Sequence, residues 1–171
     1  MSNKSIHAAR LPLEELLRDC EIRRGRRSGP GGQHRNKVET AIVITHKPTG
    51  VRAEATERRS QEQNRLVALF RLRVNLALEL RMQVPRDSRP SDLWQSRCPR
   101  GRVSINATHD DFPAMLAEAL DIVTAHEMDV RLACEALNCT ASQLVKLLKL
   151  EPRALTRVNY ERRERGLSLL R

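Results

Sequence analysis

A chain of 171 residues with 31 Lys and Arg against 21 Asp and Glu, a net charge of +10, has room for one ordinary domain or two small ones and is basic enough to suit a polyanion. Two Phe, one Trp and one Tyr are too few rings for an RNA reader that stacks bases on a sheet surface, and no apolar run reaches the roughly 18 residues of a membrane span. Met1–Ser5 has no apolar signal-peptide core, and Cys20, Cys98, Cys134 and Cys139 are too scattered for a disulfide framework; both point to a reducing cytoplasm.

The segment from Leu11 to Leu17 predicts a short helix, with proline in its first turn and Glu14 and Glu15 near the positive dipole end. Cys20–Arg24 reads as a first short strand. Val38–His46 alternates, with Val38, Thr40, Ile42 and Ile44 on one side, and is rich in β-branched residues, so it reads as a strand. Lys47-Pro48-Thr49-Gly50 supplies a turn, and Val51–Glu57 returns as the hairpin partner. Ser60 with Gln63 resembles a helix cap. Leu66, Leu69, Phe70, Val74, Ala77 and Leu78 then recur at helical spacing towards Pro85.

Turn formers dominate 86–109, which reads as a linker between a domain at 1–85 and one at 110–171. From Asp111-Phe112-Pro113 onwards the pattern is helical throughout: a first helix through Val123, a second at Val130–Leu137, a turn at Asn138-Cys139-Thr140, a third at Ala141–Leu150 and a fourth at Pro152–Arg165. The fold class expected is α+β, a small mixed sheet with a packed helix followed by an all-helical domain. Residues 129–150 have a helix-turn-helix rhythm, but Gln143, Lys146 and Lys149 are a meagre set for reading a groove. Residues 103–145 hold seven acidic side chains and one basic, Arg131, which opposes a duplex. A module docking on a partner or on rRNA is the expectation there.

Positive charge is densest in 23–37, where Arg23, Arg24, Arg26, Arg27, Arg35 and Lys37 stand among four glycines and a proline with no acid between them. Such a loop repels itself unless phosphates neutralise it. It lacks the Gly-Lys-Ser/Thr ending of a nucleotide-binding loop, and Ser28 and His34 have no carboxylate placed to make a nucleophile–base pair. What remains is Gly31-Gly32-Gln33, a neutral amide on a backbone free to approach another molecule closely. His34 reads as a packing or phosphate contact. Arg58, Arg59, Arg65, Arg71 and Arg73 suit a solvated face or an RNA backbone equally. The cysteines, with His126, lack the close pairing of a zinc site, and no metal or other cofactor is expected.

Three separated blocks, Ser28–Thr40, Thr45–Val51 and Arg59–Arg65, occur in an order and spacing that resemble the catalytic domain of bacterial-type class I peptide chain release factors, over roughly residues 10–85. The resemblance implies hydrolysis of the ester between nascent peptide and tRNA in the ribosomal peptidyl transferase centre. Gly31, Gly32 and Gln33 would form the protruding catalytic loop, and Arg23, Arg24, Arg26, Arg27, His34, Arg35, Lys37, Arg58, Arg59 and Arg65 the RNA contacts. It also implies possible N5-methylation of Gln33 by a glutamine methyltransferase. Some twenty residues precede the loop, too few to read a codon, so the resemblance narrows to the codon-independent relatives that rescue stalled ribosomes or large subunits. The implied partners are large-subunit rRNA and peptidyl-tRNA, met by a cytoplasmic monomer. The alternative is a non-catalytic RNA- or DNA-binding module that only grips phosphate.

Overall fold

The computed structural model describes residues 6–25 and 40–171. The fold is α+β, and the chain divides into two compact units, Met1–Glu79 and Leu80–Arg171.

The first unit opens with a single 3-10 turn, Ala8–Arg10, and a short helix α1, Leu13–Arg18. Three strands follow, β1 (Cys20–Gly25), β2 (Ala41–His46) and β3 (Arg52–Ala55), in the order β1-β2-β3, and both pairings are antiparallel. The register places Ile22 beside Ile44 and Ile44 beside Ala53, so the alternating apolar side chains fall on one face. Helix α2, Gln61–Glu79, lies on β2 and β3 and buries Ala68, Leu69, Leu72, Leu76 and Ala77. The Ser60 hydroxyl accepts from the Gln63 amide at 3.4 Å, as the capping pattern implies.

Three details depart from the sequence pattern. Leu69, Val74, Ala77 and Leu78 of the expected stripe are buried, but Leu66 at its start is exposed, and Leu72 and Leu76 are buried beside them. β3 ends at Ala55, two residues before Glu57, because the Thr56 amide bonds the Glu57 carboxylate and Glu57 in turn pairs with Arg71 at 2.6 Å. Helix α2 ends at Glu79 rather than running towards Pro85. The Met82 amide is taken instead by the Asp121 carboxylate at 3.0 Å. Arg73 reaches back to the Ala9 carbonyl with two nitrogens, at 3.2 and 3.1 Å, and so holds the N-terminal turn rather than a phosphate.

At the β2–β3 turn the His46 and Val51 backbones bond at 2.8 Å and Gly50 takes a φ of +72°, which an L side chain resists. The buried His46 ring lies 2.8 Å from the Thr49 hydroxyl. Burial lowers its pKa from the usual imidazole value, against a smaller upward pull from Asp19.

In the second unit, the segment expected as a linker contains helix α3, Asp92–Arg97, capped by the Ser91 hydroxyl on the Trp94 amide at 3.1 Å. Trp94 is 1% exposed, and Cys98 and Val103 are buried as well. Helix α4, Phe112–Ala125, is buried from Phe112 to Val123 with Glu118 and Asp121 included, as befits a central helix apolar on all sides. Around it lie α5 (Val130–Leu137), α6 (Ala141–Lys149) and α7 (Pro152–Glu164): α5 and α6 both pack on α4, and α6 packs on α7.

The turn between α5 and α6 has identifiable supports. Asn138 is left-handed (φ 51°, ψ 47°), and the Thr140 hydroxyl caps α6 on the Gln143 amide. The Trp94 indole N–H donates to the Leu137 carbonyl at 2.8 Å, and the Val103 amide donates to the Gln143 side chain at 3.1 Å. The segment after α7 is also held. Leu170 and Asn159 exchange two hydrogen bonds, at 2.7 and 3.0 Å, and the Arg162 guanidinium donates to the Ser168 and Met128 carbonyls. Cys20, Cys98, Cys134 and Cys139 are free thiols, and Cys139 is raised by its hydrogen bond to Cys134 and by burial.

Trp94→Phe strands the buried Leu137 carbonyl and is expected to destabilise the second unit by about 1–3 kcal/mol, measured by urea unfolding followed by circular dichroism. His46 supports folding in its neutral form. Its contribution is full above the ordinary imidazole pKa and is lost as pH falls through the lower folded value, because the unfolded chain takes the proton first. Urea midpoints of the wild type are therefore expected to fall from pH 7 to pH 5 by more than those of His46→Gln.

Candidate functional site

Gly31, Gly32 and Gln33, together with Arg26, Arg27, His34, Arg35 and Lys37, lie outside the described residues. So does the Val38–Glu39 start of the expected second strand. The structure describes the frame that carries them. Gly25 ends β1 and Ala41 begins β2, and the two are paired across the sheet, so the intervening chain leaves and returns on neighbouring strands.

The return point is fastened by Asn64, on the first turn of α2. Its side-chain N–H donates to the Thr40 carbonyl at 2.6 Å and to the Arg58 carbonyl at 3.0 Å, and its oxygen accepts from the Arg58 amide at 2.9 Å. Asn64 is 0% exposed. One carboxamide thus joins the residue preceding β2, the β3–α2 loop and the start of α2. The sequence reading missed Asn64. The signal for it was a polar residue four positions before Ala68 and eight before Leu72, on the face of α2 that is buried.

Of the predicted RNA-contact residues, the structure brings two together. Arg24 on β1 and Arg65 on α2 line a groove of about 270 Å³ with Ile22, Ile42, Gln61 and Glu62. Arg24 stands opposite Ile42 in the register and so projects to the α2 side. Arg23, one residue earlier, projects to the other face and pairs with Glu21 at 2.9 Å. Arg58 and Arg59 are exposed in the loop before α2. Arg65 lies 3.7 Å from Glu62, an exposed pair worth little in water and easily exchanged for a phosphate. The described part of this region therefore offers cations and an amide-fastened backbone. Among the described residues, no group of three or more His, Cys, Asp or Glu side chains is placed to hold a metal ion, and no helix is long and apolar enough to cross a membrane.

Comparison with known proteins extends this picture. The RF-1 domain matches residues 14–106, from α1 through the sheet and α2 to the segment after α3. Over 119 residues the chain is 37% identical to peptide chain release factor 1 of Xylella fastidiosa (strain 9a5c), covering 60% of this chain and 33% of that protein. It is 37% identical over 134 residues to peptide chain release factor 1 of Acidiphilium cryptum (strain JF-5), covering 67% and 38%. It is 43% identical over 79 residues to the chloroplastic peptide chain release factor PrfB1 of Arabidopsis thaliana, covering 46% and 16%. The chain thus spans between 16% and 38% of the length of these relatives.

Replacing Asn64 tests the fastening. Asn64→Ala removes the side-chain partner of the Thr40 and Arg58 carbonyls and of the Arg58 amide and is expected to cost about 2 kcal/mol or more in urea unfolding. Asn64→Asp is expected to cost at least as much, because a carboxylate facing the Thr40 and Arg58 carbonyls has no proton to donate.

Proposed function

The chain belongs to the RF-1 domain family, and from that premise we propose that it releases nascent peptide at the ribosome by hydrolysing the peptidyl-tRNA ester. The observation that carries this reading is the position of Gly31-Gly32-Gln33: inside the matched block, in the connection between two paired strands whose return is fastened by Asn64.

Water adds to the ester carbonyl carbon, charge develops on the carbonyl oxygen, and the bond from that carbon to the ribose oxygen breaks. The products are a peptide carboxylic acid and a free tRNA hydroxyl. A backbone N–H aimed at the developing charge lowers such a barrier by a few kcal/mol. The Gln33 amide serves this purpose, its side chain positions the water, and Gly31 and Gly32 let the backbone approach. Proton transfer falls to the terminal ribose hydroxyl of the tRNA and to the ribosome, consistent with a loop that carries no nucleophile–base pair.

Arg24 and Arg65, with Arg23, Arg26, Arg27, His34, Arg35, Lys37, Arg58 and Arg59, serve as contacts to large-subunit rRNA. Release proceeds without stop-codon recognition, on stalled ribosomes or large subunits, and Gln33 is a candidate for N5-methylation by a glutamine methyltransferase. The three sequence blocks support ester hydrolysis as in class I release factors at large, and codon independence is proposed beyond them. A phosphate-gripping module without catalysis is the competing reading, favoured by the cationic groove at Arg24 and Arg65.

Release of labelled peptide from stalled ribosome complexes decides between them. Gly32→Ala and Gln33→Ala are expected to lower the single-turnover rate by about 10²-fold or more with ribosome binding retained. Unchanged release in both overturns the catalytic reading. A rate that depends on a stop codon in the decoding site overturns codon independence alone.

A further inference from the structure

The seven acids between residues 103 and 145 argue against a polyanion partner only while they are counted as surface charge. In the folded second unit most have a partner within the unit, and Glu118 and Asp121 are buried. Glu118 accepts from the Ser91 amide at 2.7 Å, and Asp121, 2% exposed, accepts from the Met82 amide. Asp111 pairs with Arg97 at 2.7 Å, and Glu127 pairs with Arg86. Asp129 caps α5 on the Arg131 and Leu132 amides, at 2.9 and 3.1 Å.

Helix α6 contains no acid. Its Leu144, Leu147 and Leu148 are buried, and Ser142, Lys146 and Lys149 are exposed at spacings of four and three, which puts them on one outward face. The lysine ammonium groups are point charges, and Gln143, the one amide on the helix, is tied to the Val103 backbone. The face therefore has no guanidinium fork or untethered amide for base edges and suits phosphates. Helix α5 precedes it across the three-residue turn, with Arg131 exposed near its start and lying 3.9 Å from Glu135 in an open, weak pair.

We propose that the exposed face of α6, carried on the α5–turn–α6 unit, docks on the backbone of an RNA duplex, with Lys146 and Lys149 as phosphate contacts. Charge complementarity selects a nucleic-acid duplex. The choice of RNA over DNA rests on the release reading, which places the chain at a ribosome, and on the backbone-and-ribose recognition that A-form duplexes favour.

The test uses the full chain and a 20-base-pair RNA duplex, with a DNA duplex of the same sequence alongside, titrated by fluorescence anisotropy at several salt concentrations. Lys146→Ala/Lys149→Ala replaces two exposed residues with a strong helix former, so circular dichroism should match the wild type. Binding to duplex RNA is expected to weaken about tenfold at 0.1 M salt, with the slope of log K against log salt smaller by about two. Lys146→Arg/Lys149→Arg should restore both. A photocrosslinker attached through Ser142→Cys should label the RNA duplex. Wild-type affinity and slope in the double alanine variant overturn the proposal, as does a DNA duplex that binds as tightly as RNA. Duplex binding is read without ribosomes, so its failure leaves peptide release standing, and a failure of release leaves the α6 measurement standing.

Discussion

The side chain of Asn64 holds together the part of the first unit from which the connection between β1 and β2 returns. A carboxamide with no solvent exposure must find partners for its donors and its acceptor. Those partners are backbone groups of Arg58, six residues before it, and of Thr40, 24 residues before it. The Ser60 cap fixes the first turn of α2, the buried stripe from Ala68 to Ala77 fixes that helix on the sheet, and Asn64 transfers the constraint to the point where the chain re-enters β2. The reaction centre proposed here contributes one backbone N–H and one amide and so needs placement more than acidity, and placement is what a buried hydrogen-bond junction supplies.

The second unit solves a different problem with the same means. Its central helix α4 is apolar almost all round yet carries Glu118 and Asp121 into the interior. Each carboxylate is matched by the backbone of the 80–91 segment: Asp121 by the Met82 amide, Glu118 by the Ser91 amide. Charged hydrogen bonds to backbone N–H groups are stronger than neutral ones, which offsets the cost of removing the carboxylates from water. The same segment leads into α3, whose Trp94 braces the end of α5, so a stretch with no periodicity of its own becomes part of the support for the helix-turn-helix.

Patterns that depend on near neighbours were legible in the sequence; bonds between distant residues were not. The alternation around Ile42 and Ile44, the Pro48–Gly50 turn, the Ser60 cap and the breaks between α4, α5, α6 and α7 all follow from local periodicity and turn chemistry, and the structure has them within a few residues. Pro85 suggested the end of α2, but the helix stops at Glu79, and within the second unit the Met82 amide bonds Asp121. The 86–109 segment looked like a linker because turn formers are dense there, yet Trp94, Ser91 and Val103, each bonded to a residue far along the chain, tie it into the second unit. Of the site, the motif residues are written in the sequence and their cationic neighbours can be named from composition. That Arg24 and Arg65 share a groove while Arg23 faces away requires the strand register, and Arg73 as a tie to Ala9 requires a partner 64 residues distant.

Net charge is therefore a poor guide to the field this protein presents. Of the 31 basic side chains, Arg71, Arg73, Arg97 and Arg162 are bound to carboxylates or carbonyls of their own unit, which removes them as free donors without removing their charge. The buried acids Glu118 and Asp121 are drawn inward, where external phosphates do not meet them directly. The outward charge is set by groups left without a strong internal partner, and in α6 those are lysines on one helical face. A run of acids in the sequence can thus coexist with a cationic face in the fold, since short-range pairing decides which charges a partner molecule meets and screening removes most of the rest beyond about 10 Å at 0.1 M salt.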